Sequence, residues 1–201
     1  DIKILRELPA DQIVVEGEYE TETGTVNYHV IAPAMYSQSC FHRMVSVFTA
    51  KRMDIISAQI TTSSSGGVVD GFRVIDNDYS GEVPRSRIQK IEQEISKAVL
   101  GETDAKTMFL KNQRFKESSN LSGEFGLGRV EIDNQSSKRC TIIDVIAHDR
   151  IGLLYIVSRA ISRMGLSVVM AKISTHLDQV VDVFYVIDEH DRKIEDHQRL
   201  Q

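Results

Sequence analysis

The sequence predicts an α+β protein in which one unit is built twice. Three observations carry that prediction. Apolar periods follow one another as strand, strand, helix, strand, strand, helix. The same string then returns about 113 positions later: Met53–Thr62 lines up with Leu166–Thr175, Asp70–Asp76 with Asp182–Asp188, and Val30-Ile31-Ala32 with Val145-Ile146-Ala147. A polar stretch, Glu102–Gly128, separates the two copies.

In the first copy, Ile13–Tyr19 and Thr25–Ala32 read as strands joined by the polar turn Thr21–Gly24, a hairpin pattern. Pro33–Ser39 reads as a loop. From Cys40 the period turns helical, with Phe41, Met44, Val45 and Phe48 at i, i+3, i+4 and i+7. Ile55–Thr62 and Val68–Ile75 read as strands around a Ser63–Gly67 turn. Pro84 suits the first turn of a second helix, whose stripe is Ile88, Ile91, Ile95 and Val99 and whose end is Gly101.

The second copy opens with a leading strand, Arg129–Asp133, and an Asn134–Lys138 turn. The apolar run Thr141–Ala147 stops at His148-Asp149-Arg150. A helix follows, with Leu153, Leu154, Val157, Ala160, Ile161 and Met164 on its apolar face. Gly165 stands where a left-handed cap is wanted. Ser167–His176 and Val180–Ile187 read as strands, and a last helix is expected from near Arg192, cut short at Gln201. The predicted organisation is a first domain at 1–101 with a leading strand, a linker at 102–128 and a second domain at 129–201. A ferredoxin-like antiparallel sheet with helices on one face is the simplest arrangement of each copy. Val168–Ala171 and Val180–Phe184 are apolar nearly throughout, so faces shared between the copies or with another chain are expected.

Size and charge bound the function. At 201 residues and 41% hydrophobic, the chain can bury a sizeable core. No apolar run approaches the roughly 18 residues that span a bilayer, and no signal-peptide pattern opens the chain. Two cysteines, Cys40 and Cys140, fit a reducing cytoplasm. A net charge of −5 argues against a nucleic-acid partner. The chain opens on Asp1, as expected of a piece of a longer protein.

The loop His148–Leu154 holds the most distinctive chemistry. Gly152 at the mouth of a helix lets a ligand reach backbone N–H groups with no Cβ in the way. Those groups and the helix dipole favour a carboxylate, and Asp149 beside them suits an ammonium. Together they describe a receptor for a free α-amino acid. A plainer reading makes Asp149 a helix cap and Gly152 a packing choice.

Other motifs point to less. His148-Asp149 and His190-Asp191 lie at a strand end and in a polar turn, so they lack the helical setting of an HD-type metal site, and no metal is expected. The Gly123–Gly128 string has no strand before it and no helix after it, unlike a dinucleotide fingerprint. Phe72, Phe184 and Tyr185 lack the basic opening of an RNA-stacking strand. No catalytic constellation and no cofactor motif is visible.

Asp149-Arg150-Ile151-Gly152-Leu153-Leu154-Tyr155, Ala171–Thr175 and Asp182–Val186 resemble an ACT domain, a βαββαβ small-molecule sensor. With Ile132-Asp133-Asn134 and Ser136, the set resembles the C-terminal tandem ACT domains of bacterial PII-protein uridylyltransferase/uridylyl-removing enzymes, strongly over Val130–Ile194 and loosely over Ile13–Gly101. The resemblance implies a regulatory module that binds glutamine and controls upstream catalytic domains acting on a PII signalling protein. It implies a ligand loop of Asp149, Arg150, Gly152 and Leu153, with Ala171, Lys172 and Ile173 closing the pocket, and a homodimer through ACT faces. The family's proline is replaced by Ile151. The first copy has Ser39 where Gly152 falls and no acid, so a weaker second site at Ser37, Ser39 and Cys40 is expected. The rival expectations are an ACT repeat sensing another amino acid, a ferredoxin-like nucleic-acid binder, and a catalytic fragment with a metal.

Overall fold

Short polar turns pair neighbouring strands locally, and both sheets grow from those hairpins. The computed structural model describes residues 9, 12–62, 67–103, 107, 128–148, 152–173, 175–176 and 179–196, with side chains at 34, 37–39, 62, 175, 176 and 179 outside that description. β1 (Val14–Glu20) folds back on β2 (Thr25–Ala32), and β3 (Met53–Thr62) on β4 (Val68–Asp76). The second pair inserts so that β4 lies between β2 and β3, giving the order β1-β2-β4-β3. The second copy contains β5 (Arg129–Asp133), β6 (Thr141–His148), β7 (Ser167–Lys172) and β9 (Gln179–Ile187) in the order β5-β6-β9-β7, with the two-residue β8 (Thr175–His176) also on β9. Both sheets are antiparallel, and their strand orders correspond one to one.

This is the expected α+β, ferredoxin-like sheet, with one feature of connectivity. The edge place that the last strand of a βαββαβ unit would take is held by the leading strand, β1 or β5. The reason is local: a four-residue turn at 21–24 delivers β1 directly to β2.

Alternation assigns the faces. On β4, Val68, Asp70, Phe72, Val74 and Asp76 are buried beneath the helices, while Arg73 and Ile75 face the open side. α1 (Ser37–Ala50) is apolar nearly all round, because it lies between its own sheet, the next helix and the second copy. Its fully buried Ser46 Oγ donates to the His42 carbonyl at 2.7 Å. α2 (Arg85–Leu100) begins after Pro84 and ends on Gly101 in the left-handed region. It seats on edge strand β1 at Gly17, where an added Cβ would come within 2.5 Å of Ile88 Cγ2. There Gly17 N–H donates to Glu92 Oε1 at 2.8 Å and its carbonyl accepts from Arg85 Nη1 at 2.6 Å, so the edge backbone is covered.

Two expectations are corrected. The helix of the first copy does not start at Cys40: a 3-10 turn at Ala34–Tyr36 runs straight into α1 at Ser37. With no glycine in that stretch, nothing opposes extending the helix back toward Pro33. No helix starts at Arg192 either. Residues 192–196 are irregular, and Ile194 is pinned by Thr141 Oγ1, which accepts its N–H at 2.9 Å, and by Asn134 Nδ2, which donates to its carbonyl at 2.6 Å. Positions 197–201 and most of the expected linker lie outside the described residues.

The copies lie side by side. The β3 edge runs along β7, and α1 packs on α3 (Leu153–Arg163) and on β7. Phe41 on α1 is the hinge pin of the shared core: its ring is 6.0 Å from Phe72 of its own sheet and 6.1 Å from Phe184 of the other. Both sheets therefore carry their helices on the same side and expose the opposite face.

Candidate ligand-binding site

The site is built where β6 hands over to α3. β6 ends at His148, and α3 opens at Gly152, whose φ of 83° lies in the left-handed region. An L side chain there costs about 1–2 kcal/mol, so glycine is required by conformation as well as by access. The Gly152 carbonyl accepts the Ile156 N–H at 3.0 Å and closes the first helical turn. Asp149 and Arg150, the charged members of the expected loop, lie outside the described residues.

The remaining site residues divide between two faces. Leu153 is buried at the first helical position. Ala171 and Ile173 are buried on the helix side of the sheet, Ala171 standing opposite Phe184. Lys172 points the other way: it is exposed on the open face, opposite Val183. The pleat alternates the side chains of the three between the two faces of the sheet, and all three line one cavity at its edge. In the first copy, Ser37 and Ser39 belong to the first turn of α1 and not to a loop, and Cys40 is a core residue, 1% exposed. Burial pushes the Cys40 thiol well up, with Asp70 adding to the shift and Arg43 opposing it. The expected weaker site thus falls on the first turn of α1.

Two groups that sequence reasoning passed over accompany this geometry. Asp70 and Asp182, matched across the repeat, are buried on the helix face, opposite Val30 and Val145. Burial raises the Asp70 carboxyl well above the usual range. The matched strings Asp70-Gly71-Phe72 and Asp182-Val183-Phe184 held the signal. On the open side of the seam, β7 and the first sheet line an open cavity of about 690 Å³, bordered by Met170–Ile173, Ser57–Gln59, Asn27, His29 and Gly71–Arg73. Its polar members come from four strands of two copies, so no local string announces them. Among the described residues there is no group of three or more His, Cys, Asp or Glu side chains that could share a metal ion, and no helix is long and apolar enough to cross a membrane.

Fold and site define a tandem of two ferredoxin-like α+β units joined through a shared core, with a glycine-gated helix mouth in the second. The chain is homologous to a part of the bifunctional uridylyltransferase/uridylyl-removing enzymes. It is 32% identical to the enzyme of Azospirillum brasilense over 162 residues, 80% of this chain and 17% of that protein. It is 30% identical to that of Rhodospirillum rubrum over 154 residues, 77% of this chain and 16% of the relative. With the Erythrobacter litoralis enzyme the match is 29% over 198 residues, 98% of this chain and 21% of the relative. The chain thus spans about a fifth or less of the curated relatives it matches. No protein-family model matches it.

Proposed function

We propose that the chain is a tandem ACT module that senses an amino acid, glutamine first among them, and regulates a uridylyltransferase/uridylyl-removing enzyme acting on a PII signalling protein. The observation that carries this reading is Gly152, held at φ 83° at the mouth of α3 beside the joint between the copies. The first-turn N–H groups of α3 receive the ligand carboxylate, and Asp149 takes the ammonium. Arg150 and Leu153 frame the loop, while Ala171 and Ile173 form the wall behind it. Because β7 carries that wall and also runs along β3, closure on a ligand biases how the copies sit against one another. Catalytic domains elsewhere in the parent enzyme read that bias, and this module supplies binding and coupling with no bond-breaking step of its own. The family resemblance of the loop and of Asp182–Val186, together with homology to the uridylyltransferases, supports the assignment.

Isothermal titration with L-glutamine, glutamate and a panel of other amino acids tests it. Saturable heat with glutamine, lost in Asp149→Asn, is expected. Saturable heat with a different amino acid would keep the sensor and discard glutamine. Glutamine binding that survives both Asp149→Asn and Gly152→Val would overturn the site.

A further inference from the structure

The open-face cavity at the seam has a chemistry of its own. Alternation separates it from the helix mouth: Met170 and Lys172 project into it, while Ala171 turns its side chain to the core. From the first sheet it receives Arg73, His29, Asn27, Ser57 and Gln59. Arg73 Nε donates to Asn27 Oδ1 at 3.3 Å, which aims the guanidinium along the open face. Among the described residues no carboxylate pairs with Arg73 or Lys172, and none lines the cavity. Acids on this face flank the hollow without lining it: Glu16 and Glu18 on β1 opposite His29 and Asn27, Asp54 on β3 opposite Ile75, and Asp144 on β6 opposite Val183. In a chain of net charge −5, two cations lining one hollow that no described carboxylate lines are against the average.

Gly71 makes the hollow. It lies in the middle of the central strand β4, between His29 and Gln59, where glycine costs strand stability. Nothing in the backbone requires it. Its φ is not positive, and an added Cβ would meet only the His29 ring, at an ordinary 3.7 Å. The second copy has Val183 at this place in the repeat. An interior glycine that neither backbone nor packing demands marks a place kept open for a ligand.

We infer that this cavity is a second ligand site, which binds a small anionic metabolite through its carboxylate or phosphate. Arg73 and Lys172 supply the charge, and Asn27, Ser57, Gln59 and His29 supply hydrogen bonds. At about 690 Å³ the space accommodates a molecule up to the size of a nucleotide. Because Lys172 comes from one copy and Arg73 from the other, the anion ties the two sheets together at the seam. The site opens on the face of the sheet away from α3, with β7 common to it and to the amino-acid site.

Titration of the 201-residue chain with inorganic phosphate, succinate and UMP, each with and without L-glutamine, tests the inference. Saturable binding of at least one probe is expected, weakened by at least about tenfold in Arg73→Gln and in Lys172→Gln, and retained when glutamine is saturating. Preference for succinate assigns a carboxylate ligand; preference for phosphate or UMP assigns a phosphorylated one. Gly71→Val, which copies the second unit, is expected to remove binding while the melting temperature holds or rises. Absence of saturable binding with all three probes, binding that survives Arg73→Gln and Gly71→Val, or displacement of the anion by glutamine would each overturn it.

Discussion

His42 and Ser158, 116 positions apart in the chain, are joined across the seam: the His42 Nδ1 lies 3.1 Å from the Ser158 Oγ. The Ser158 hydroxyl also donates to the Tyr155 carbonyl at 3.1 Å, which leaves a lone pair facing the imidazole and puts the His42 proton on Nδ1. The Tyr155 ring lies 5.1 Å from the imidazole. This polar contact sits within the α1–α3 packing, so it reports directly on how the copies are docked.

That joint is expected to weaken in acid. Burial, helped by Arg159, Arg43 and Arg163, lowers the His42 pKa from 6.5 to about 4. Between those values the unfolded chain binds the proton and the folded chain does not, so His42 contributes full stability above 6.5 and loses it as pH falls toward 4. Asp70, with its raised pKa, acts with the opposite sign, so the comparison needs a variant. Urea midpoints measured at pH 7.5, 5.5 and 4.5 are expected to fall more steeply for the parent chain than for His42→Gln. Equal slopes would show that His42 titrates freely.

Asp76 is fully buried and is answered by Arg87, whose Nε donates to it at 2.8 Å while Nη2 donates to Asp78 at 3.1 Å and to the Lys51 carbonyl at 3.1 Å. Removing the cation strands a buried carboxylate. Arg87→Ala is expected to cost about 3–5 kcal/mol in equilibrium unfolding, with much of the loss restored by adding Asp76→Asn. A loss under about 1 kcal/mol would mean that water reaches Asp76.

Gly152→Ala is expected to lower stability by about 1 kcal/mol, through the left-handed backbone alone, and to weaken amino-acid binding more than that strain accounts for. Calorimetric binding and thermal melts on the same sample separate the two effects. Unchanged affinity with a lowered melting temperature would reduce Gly152 to a structural cap.

Thr141 Oγ1 donates to Asn134 Oδ1 at 2.8 Å and accepts the buried Ile194 N–H. Thr141→Val removes both bonds and leaves that N–H without its acceptor, at an expected cost of about 1–3 kcal/mol. Hydrogen exchange should show the Ile194 amide losing protection while the β6 ladder keeps its own. Retained protection at Ile194 would place its partner elsewhere.

Much of this was legible one element at a time. Spacing alone located the apolar stripe of α2, because Ile88, Ile91, Ile95 and Val99 need only a helix to fall on one face. Gly101 and Gly165 were readable as left-handed caps, and both have positive φ. The limits of α1 were less readable: Ser37–Ser39 carry no apolar period, and the helix is held in place by tertiary packing, with Phe41 meeting both sheets. The string Ile132-Asp133-Asn134 stood out only as a family mark. Its work became visible in three dimensions, where Asp133 Oδ1 accepts the Gln135 and Ser136 N–H groups at 2.7 and 3.0 Å and Asn134 clamps Ile194 from 60 positions away.

The sequence by itself determined the repeat, the strand and helix periods, and the glycine at the mouth of α3, because each depends on residues close together in the chain. Only the tertiary structure decided that the copies dock edge to edge through Phe41 and His42, that Lys172 parts company with Ala171, and that Arg73, Lys172 and Gly71 line one cavity. Those relations depend on which strand edges and helix faces bury one another, and packing across more than 90 residues of chain leaves no local period to read.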